Sequence, residues 1–320
     1  MYTGLTIMKK KILKIVKYFV VTLSIILVIF VGSSYYFFHV AEVRSHKSFI
    51  NNSLGKGQVY KDYQWFNKQN KQHWYEIGEP GNLRLDADYL PAKQKTNNTV
   101  VIVHGFSGSK KSMFSYGTMF HDLGFNVLIP DDRASGQSQG KYIGYGWLDR
   151  KDYLDWIHKV IQHNGKSSKI LMFGVSMGGA TTIMTSGERV PKQVKAYIAD
   201  CGYTSVYDEI TYQAKQMYHL PQWPFVPMVS EISKVLAGYS YQQASAIKQI
   251  KKNHRPILII HGSKDTFVPT WMGRALYRAA NKPKELWIVP GAKHAGSFKH
   301  NPYVYQQHIN NFLKQYFFNN

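Results

Sequence analysis

The sequence is poor in cysteine and in acidic residues. It holds one cysteine, Cys201, and 19 Asp and Glu against 40 Lys and Arg, which gives a formal net charge of +21. A single cysteine excludes an internal disulfide, and no cysteine follows the N-terminal apolar run to accept a lipid. The basic excess favours contact with anionic lipid or with acidic wall polymers.

Motifs for several other classes of ligand are also absent. The sequence has no zinc-finger spacing, no RNA-binding aromatic signature and no helix-turn-helix pattern. It also lacks a phosphate-binding loop of the GxxxxGK[ST] form and any metal-ligand spacing. We therefore expect no nucleic-acid partner, no metal and no cofactor.

The N-terminal segment predicts a membrane anchor. Lysines cluster between Lys9 and Lys17, and the following run from Tyr18 to Val40 carries no formal charge. At about 1.5 Å per residue, a helix over 18–40 spans a hydrocarbon core of roughly 30 Å. The lysines favour an N-terminus inside the cell. We expect a single-pass anchor over 1–45 in the cell membrane, an extracellular catalytic part, and a polar linker over 46–72.

A cleaved signal peptide is the alternative for this segment, because "VGSS" at 31–34 offers the small residues that a signal peptidase needs. The apolar stretch runs past that point, which favours the uncleaved anchor. Either alternative places the catalytic part outside the cytoplasm.

The rest of the chain alternates short apolar runs with helical stretches. Continuous β-branched runs between helices predict a mostly parallel sheet that is covered by helices on both faces. We expect this α/β domain to occupy 73–320. The apolar runs are "TVVIVHG" (99–105), "FNVLIPD" (125–131), "KILMFGVS" (169–176), "VKAYIADCG" (194–202), "PILIIHG" (256–262) and "KELWIVPG" (284–291).

The stretch "GVSMGG", residues 174–179, predicts a catalytic serine. Ser176 ends an apolar strand and opens a helix, which is the context of a G-x-S-x-G nucleophile turn. Gly174 and Gly178 leave room for a strained turn, and the helix N-terminus directs backbone N–H groups toward a developing negative charge.

A serine nucleophile needs a base and an acid that orients the base. Asp265 follows one apolar strand in "HGSKDTFVP", and His294 follows the next in "VPGAKHAGS". Asp200 is a rival acid, because it ends the strand "VKAYIAD". The loop "HGFSGS" after an earlier strand offers the backbone N–H of Phe106 as a partner for that of Met177 in binding an oxyanion.

Together these motifs resemble the α/β-hydrolase family over about residues 73–317, and most closely its membrane-anchored cell-surface hydrolases of Gram-positive bacteria. That family places the serine, the acid and the histidine in this chain order, which both Asp200 and Asp265 satisfy. The stretch "HGSKDTFVP" matches the family's usual acid motif better, so the resemblance favours Asp265. The turn "DDRASGQSQG" (131–140) is similar to the family's D-x-R-x-x-G-x-S turn, with Arg133, Gly136 and Ser138 in place.

The resemblance implies a serine hydrolase that cleaves carboxylic esters of small molecules through an acyl-enzyme. A peptidase or an acyltransferase on the same three residues is the alternative within enzymes. A catalytically idle surface protein that binds a ligand or partner is the alternative of another class.

About fifty residues between two predicted strands, 205–254, are rich in Tyr, Met, Pro and Trp. This insertion is too long for an ordinary connection and predicts a small helical cap over Ser176. We expect Trp223 and Met228 to line an apolar substrate pocket. A cap of this size covers only a small cavity, so we expect a preference for short acyl chains of up to about eight carbons.

Overall fold

The computed structural model describes the backbone of residues 2–45 and 57–318, with side chains from Met8 onward. Its first helix, α1 (Tyr2–Glu42), contains and extends the helix expected over 18–40. One stretch of it, Met8–Glu42, is long and apolar enough to cross a membrane. The helix on which the expected anchor depends is therefore present and continuous.

The segment expected as a linker, 46–72, is partly helical. Helix α2 (Gln58–Lys68) packs on α3 (Phe114–Asp122), and strand β1 begins at Gln72. The Phe66 ring is fully buried with its centroid 4.9 Å from that of Phe114. The segment expected as a linker thus contributes α2 to the packed domain, while residues 46–56 lie outside the described residues.

An eight-stranded sheet forms the centre of the fold, as the sequence predicts. Its order is β1-β2-β4-β3-β5-β6-β7-β8, and β3 to β8 run parallel, whereas β1 and β2 join as an antiparallel edge. The strands are β1 (Gln72–Gly78), β2 (Leu83–Leu90), β3 (Asn98–Val103), β4 (Asn126–Pro130), β5 (Lys169–Val175), β6 (Val194–Asp200), β7 (Ile257–Gly262) and β8 (Lys284–Val289).

Helices cover both faces of the sheet because successive strand residues point to opposite sides. In β3, Val101 and Val103 join one buried cluster, and Val100 and Ile102 join the other. The first cluster is covered by α4 (Asp149–Asn164), α5 (Met177–Ser186), α8 (Ala246–Ile250) and α9 (Thr270–Ala279); the second by α2, α3, α10 (Ser297–His300) and α11 (Pro302–Leu313).

The predicted cap is present between β6 and β7. It consists of α6 (Val206–Tyr218) and α7 (Gln222–Leu236), followed by α8 beside the sheet. Ser205 caps the start of α6 by accepting a hydrogen bond from the Asp208 N–H at 3.0 Å. The cap lies at the carboxyl end of the parallel strands, where ligands bind in folds of this kind.

Candidate active site

Ser176 sits on a strained turn between β5 and α5. Its backbone has φ 58° and ψ −120°, which is unusual for a residue with a side chain. The neighbouring glycines permit this geometry. A Cβ on Gly174 would lie 2.1 Å from the Gly178 carbonyl oxygen, and one on Gly178 would lie 2.2 Å from the Val103 carbonyl oxygen. Each glycine is therefore required where the sequence places it.

The structure brings Ser176, His294 and Asp265 together. The Ser176 hydroxyl donates to His294 Nε2 at 2.8 Å, and His294 Nδ1–H donates to Asp265 Oδ2 at 2.8 Å. Asp265 follows β7, and His294 follows β8. The carboxyl ends of parallel strands thus deliver all three side chains to one edge of the sheet.

Asp265 is held as an ionised acceptor. Its Oδ1 accepts hydrogen bonds from the Phe267 and Val268 N–H groups at 3.0 and 2.9 Å. Burial pushes the pKa of Asp265 up, but hydrogen bonding to His261 and His294 outweighs burial and leaves the pKa below its ordinary value. The carboxylate can therefore orient the His294 ring and stabilise a positive charge on it.

Asp200, the rival acid, is engaged elsewhere. Its Oδ1 accepts from the Ser297 hydroxyl at 3.2 Å, and its Oδ2 accepts from the Tyr305 hydroxyl at 2.9 Å. Burial raises the pKa of this fully enclosed carboxyl. Its backbone carbonyl also accepts from the Ser176 N–H at 2.8 Å, so Asp200 supports the nucleophile turn.

Phe106 and Met177, the expected oxyanion donors, flank Ser176. Met177 is the first residue of α5, so its N–H has no acceptor within the helix. The loop that carries Phe106 lies close to the serine: a Cβ on Gly105 would be 3.5 Å from Ser176 Cβ. His104 fixes this loop, since its Nδ1 donates to the Gly105 carbonyl oxygen at 2.8 Å.

Two groups of side chains have the spacing of metal ligands among the described residues, and neither suits a metal. Cys201 lies beside Asp265 and His294, but burial raises the pKa of its thiol well above the ordinary value, which disfavours the thiolate that binds metals. In the second group, the Lys110 ammonium already contacts Asp86 and Asp88.

An apolar cavity opens beside Ser176. It holds about 890 Å³ of atom-free space, counting its open mouth. The cap contributes much of the wall, and a loop after β7 adds Phe267 and Val268. The lining also includes three residues of α1, which the sequence analysis did not foresee: Phe37, Val40 and Ala41.

Trp223 and Met228, the two expected pocket residues, are not in this lining. Helix α7 turns Phe225, Val226 and Val229 toward the cavity instead. Trp223 is 77% exposed and has non-helical backbone angles at the start of α7. These two residues were predicted because their side chains are large. The face of α7 that meets the cavity instead carries residues 225, 226 and 229.

One acidic side chain also lines the cavity. Glu209 of α6 is buried and its Oε1 accepts from Gln213 Nε2 at 2.8 Å. Burial raises the pKa of Glu209 from an ordinary value near 4.5 to about 8. The carboxyl is therefore mostly protonated at neutral pH, which preserves the low charge of the cavity.

This fold and this site define a serine hydrolase of the α/β-hydrolase class. The chain belongs to the prolyl oligopeptidase family, whose sequence model matches residues 112–320.

The chain is also similar to individual known proteins. The chain is 32% identical to the uncharacterized protein YqkD of Bacillus subtilis over 225 residues, which is 70% of this chain and 74% of YqkD. It is 25% identical to the uncharacterized peptidase YtmA of Bacillus subtilis over 59% of this chain and 72% of YtmA. The fold resembles the Pyrococcus furiosus esterase Pf2001, with a TM-score of 0.62, 23% identity and coverage of 82% and 97% of the two chains.

Proposed function

We propose that this protein hydrolyses carboxylic esters with an apolar acyl group through an acyl-enzyme on Ser176. The observation that carries the proposal is the hydrogen-bonded chain Ser176–His294–Asp265, whose serine lines an apolar cavity. Each CH₂ group of a substrate that is buried in such a cavity contributes roughly 0.8 kcal/mol to the free energy of binding. The expected preference for acyl chains of up to about eight carbons assumes that the cap alone closes the cavity.

The geometry supports a two-step reaction. His294 Nε2 takes the hydroxyl proton as Ser176 Oγ attacks the ester carbonyl carbon, and the N–H groups of Met177 and Phe106 stabilise the oxyanion. The imidazolium then protonates the leaving alkoxide, and the acyl group stays on Ser176. Water, deprotonated by His294, attacks this acyl-enzyme, so the carboxylic acid leaves and the serine is restored.

A fluorophosphonate probe and a p-nitrophenyl ester test this proposal together. The full chain should be labelled and should hydrolyse the ester, whereas Ser176→Ala should lose labelling and retain less than about a thousandth of the activity. Unchanged melting of the variant would show that folding is intact. An unlabelled, inactive wild-type protein would instead favour an idle binding protein.

Peptide hydrolysis is the second candidate, because the family is that of prolyl oligopeptidase and YtmA is named as a peptidase. A peptide substrate needs partners for its backbone or its charged terminus, and the cavity lining is almost wholly apolar. An ester and an amide of the same acyl group, assayed side by side, would separate the two candidates.

We also propose that α1 is retained as a single-pass anchor with the catalytic domain outside the cell. Residues 8–29 are exposed along their length, as a lipid-facing helix requires. Cleavage near 31–34 would remove Phe30, whose ring lies 5.2 Å from that of Phe225 in the cap. Protease added to intact cells should release the catalytic domain, and its full recovery in the cytosolic fraction would contradict this proposal.

A further inference from the structure

The anchor helix forms part of the substrate cavity. Phe37, Val40 and Ala41 of α1 line the same cavity as Ser176. These positions are spaced three and four residues apart, so they share one face of the helix. Tethering the domain does not require a helix to line the cavity that contains the nucleophile.

Ring contacts fix this face of α1 against the cap. The Phe30 ring lies 5.2 Å from that of Phe225 in α7, and the Phe37 ring lies 5.0 Å from that of Tyr218 in α6. Both pairs meet edge to face, which is a favourable arrangement for aromatic rings. The wall is thus built from matched contacts between the anchor and the cap.

Backbone hydrogen bonds fix the end of α1 to the catalytic domain. The Ile143 N–H donates to the Glu42 carbonyl oxygen at 2.7 Å, and the Arg44 N–H donates to the Lys141 carbonyl oxygen at 2.9 Å. The Tyr145 hydroxyl donates to the Ala41 carbonyl oxygen at 3.1 Å. The cavity wall is therefore held from two sides.

The positions of the lysines in α1 indicate how deep the cavity-lining residues of α1 lie in a membrane. Lys17 is the last lysine before the apolar run, and a hydrocarbon core of about 30 Å takes roughly twenty helical residues. Counting from Tyr18, the core ends near Phe37. The α1 wall of the cavity thus lies at the membrane surface on the side of the catalytic domain.

The cap presents apolar side chains at the same level. Met217 and Tyr218 line the cavity yet are 38% and 39% exposed, so the cavity reaches the protein surface beside Phe37. Trp223, close by in sequence, is 77% exposed. Exposed aromatic residues are typical of the membrane–water interface.

We propose that the cavity takes its substrate from the bilayer: a lipid ester whose acyl chain enters between α1 and the cap helices α6 and α7. This inference rests on the proposed ester hydrolysis and names its substrate class. The chain lies along Phe37 and Tyr218 while the ester carbonyl reaches Ser176. Ser176 Oγ takes the acyl group as the ester C–O bond breaks, and the alcohol part leaves with the proton from His294; water then cleaves the acyl-enzyme, and the carboxylic acid leaves with the chain. Because α1 continues the cavity toward the membrane, the chain is not limited to eight carbons.

The test compares a lipid with a soluble ester on the full chain in phosphatidylcholine vesicles. Monooleoylglycerol in the vesicles serves as the lipid, and p-nitrophenyl acetate serves as the soluble ester. Phe37→Ala removes the aromatic part of the α1 wall, and Tyr35→Ala is the matched control, because Tyr35 is exposed on the same helix and is not in the cavity lining. The ratio of lipid to soluble-ester hydrolysis should fall about tenfold in Phe37→Ala, as expected for the loss of one aromatic contact, and stay unchanged in Tyr35→Ala.

The outcomes separate the two proposals. A wild-type protein that hydrolyses neither ester and resists the fluorophosphonate probe would overturn the proposed function. A protein that hydrolyses p-nitrophenyl acetate but not monooleoylglycerol would overturn only membrane loading. An equal fall of the ratio in both variants, or no fall in either, would also overturn the role of the α1 wall.

Discussion

His294 Nδ1 donates to Asp265 Oδ2 at 2.8 Å, and this pairing determines which carboxylate assists the base. The arrangement turns Nε2 toward the Ser176 hydroxyl, 2.8 Å away. Asp200, though buried nearby, uses both carboxylate oxygens on hydroxyl groups.

Asp265→Asn should therefore lower turnover by a factor on the order of 10⁴, because an amide allows the wrong histidine tautomer, as it does in serine proteases. Asp200→Asn should cost far less, since its carboxylate accepts hydrogen bonds from Ser297 and Tyr305 and not from His294. Steady-state rates on one ester would measure both. A larger loss in Asp200→Asn would mean that the acid is misassigned.

Gly178→Ala should disrupt the nucleophile turn. The added Cβ would lie 2.2 Å from the Val103 carbonyl oxygen, which is backbone and cannot rotate away. We expect loss of fluorophosphonate labelling together with a lower melting temperature. Gly32→Ala is the control, because a Cβ there meets nothing within 4 Å. Normal labelling of Gly178→Ala would show that the turn relaxes more easily than its packing indicates.

Phe66→Ala should destabilise the protein by about 3–5 kcal/mol, the usual cost of emptying a buried phenylalanine site. The ring fills the space above Gly117, where a Cβ would come within 2.6 Å of it. Tyr60→Ala on the same helix should change stability little, because Tyr60 is 43% exposed. Urea unfolding of the two variants measures both effects. Equal losses of stability would show that α2 does not pack into the folded core.

Glu209 should make stability depend on pH. Its pKa is about 8 in the folded state against an ordinary value near 4.5, so the unfolded chain loses this proton first as pH rises. The stability that the neutral carboxyl contributes is full below pH about 4.5 and is lost as pH rises through about 8.

Replacing Glu209 by Gln should remove this loss, so the melting temperature of Glu209→Gln should gain on wild type between pH 5 and pH 9. The exposed Glu231→Gln serves as the control and should follow wild type at every pH. A constant difference between Glu209→Gln and wild type across this range would contradict a raised pKa.

The sequence predicted the parts of the fold that local patterns determine. Apolar β-branched runs marked the strands, and Ser176, Asp265 and His294 were recognisable because each follows such a run. The structure brings these three together, and the catalytic role assigned to them stays a prediction until the variants are measured.

Long-range contacts were beyond prediction from the sequence. Nothing in a uniformly apolar helix distinguishes the face that meets lipid from the face that meets protein, so the pairing of Phe37 with Tyr218 left no local signal. Helix α2 was missed because polar residues separate Val59, Tyr63 and Phe66, although their spacing of four and three is helical. Side-chain size also suggested Trp223, whereas the orientation of α7 determines its exposure.

The continuity of α1 has a mechanical consequence in the proposed membrane arrangement. The helix runs without a break to Glu42, and beyond it Arg44 donates to the carbonyl oxygens of Gly136 and Ser138 at 2.5 and 2.8 Å. Such a connection is rigid and holds the catalytic domain in a fixed position relative to the helix. Each molecule would then hold Ser176 at one fixed height above the bilayer. Esters in the cell wall, further from the membrane, would be beyond the reach of Ser176.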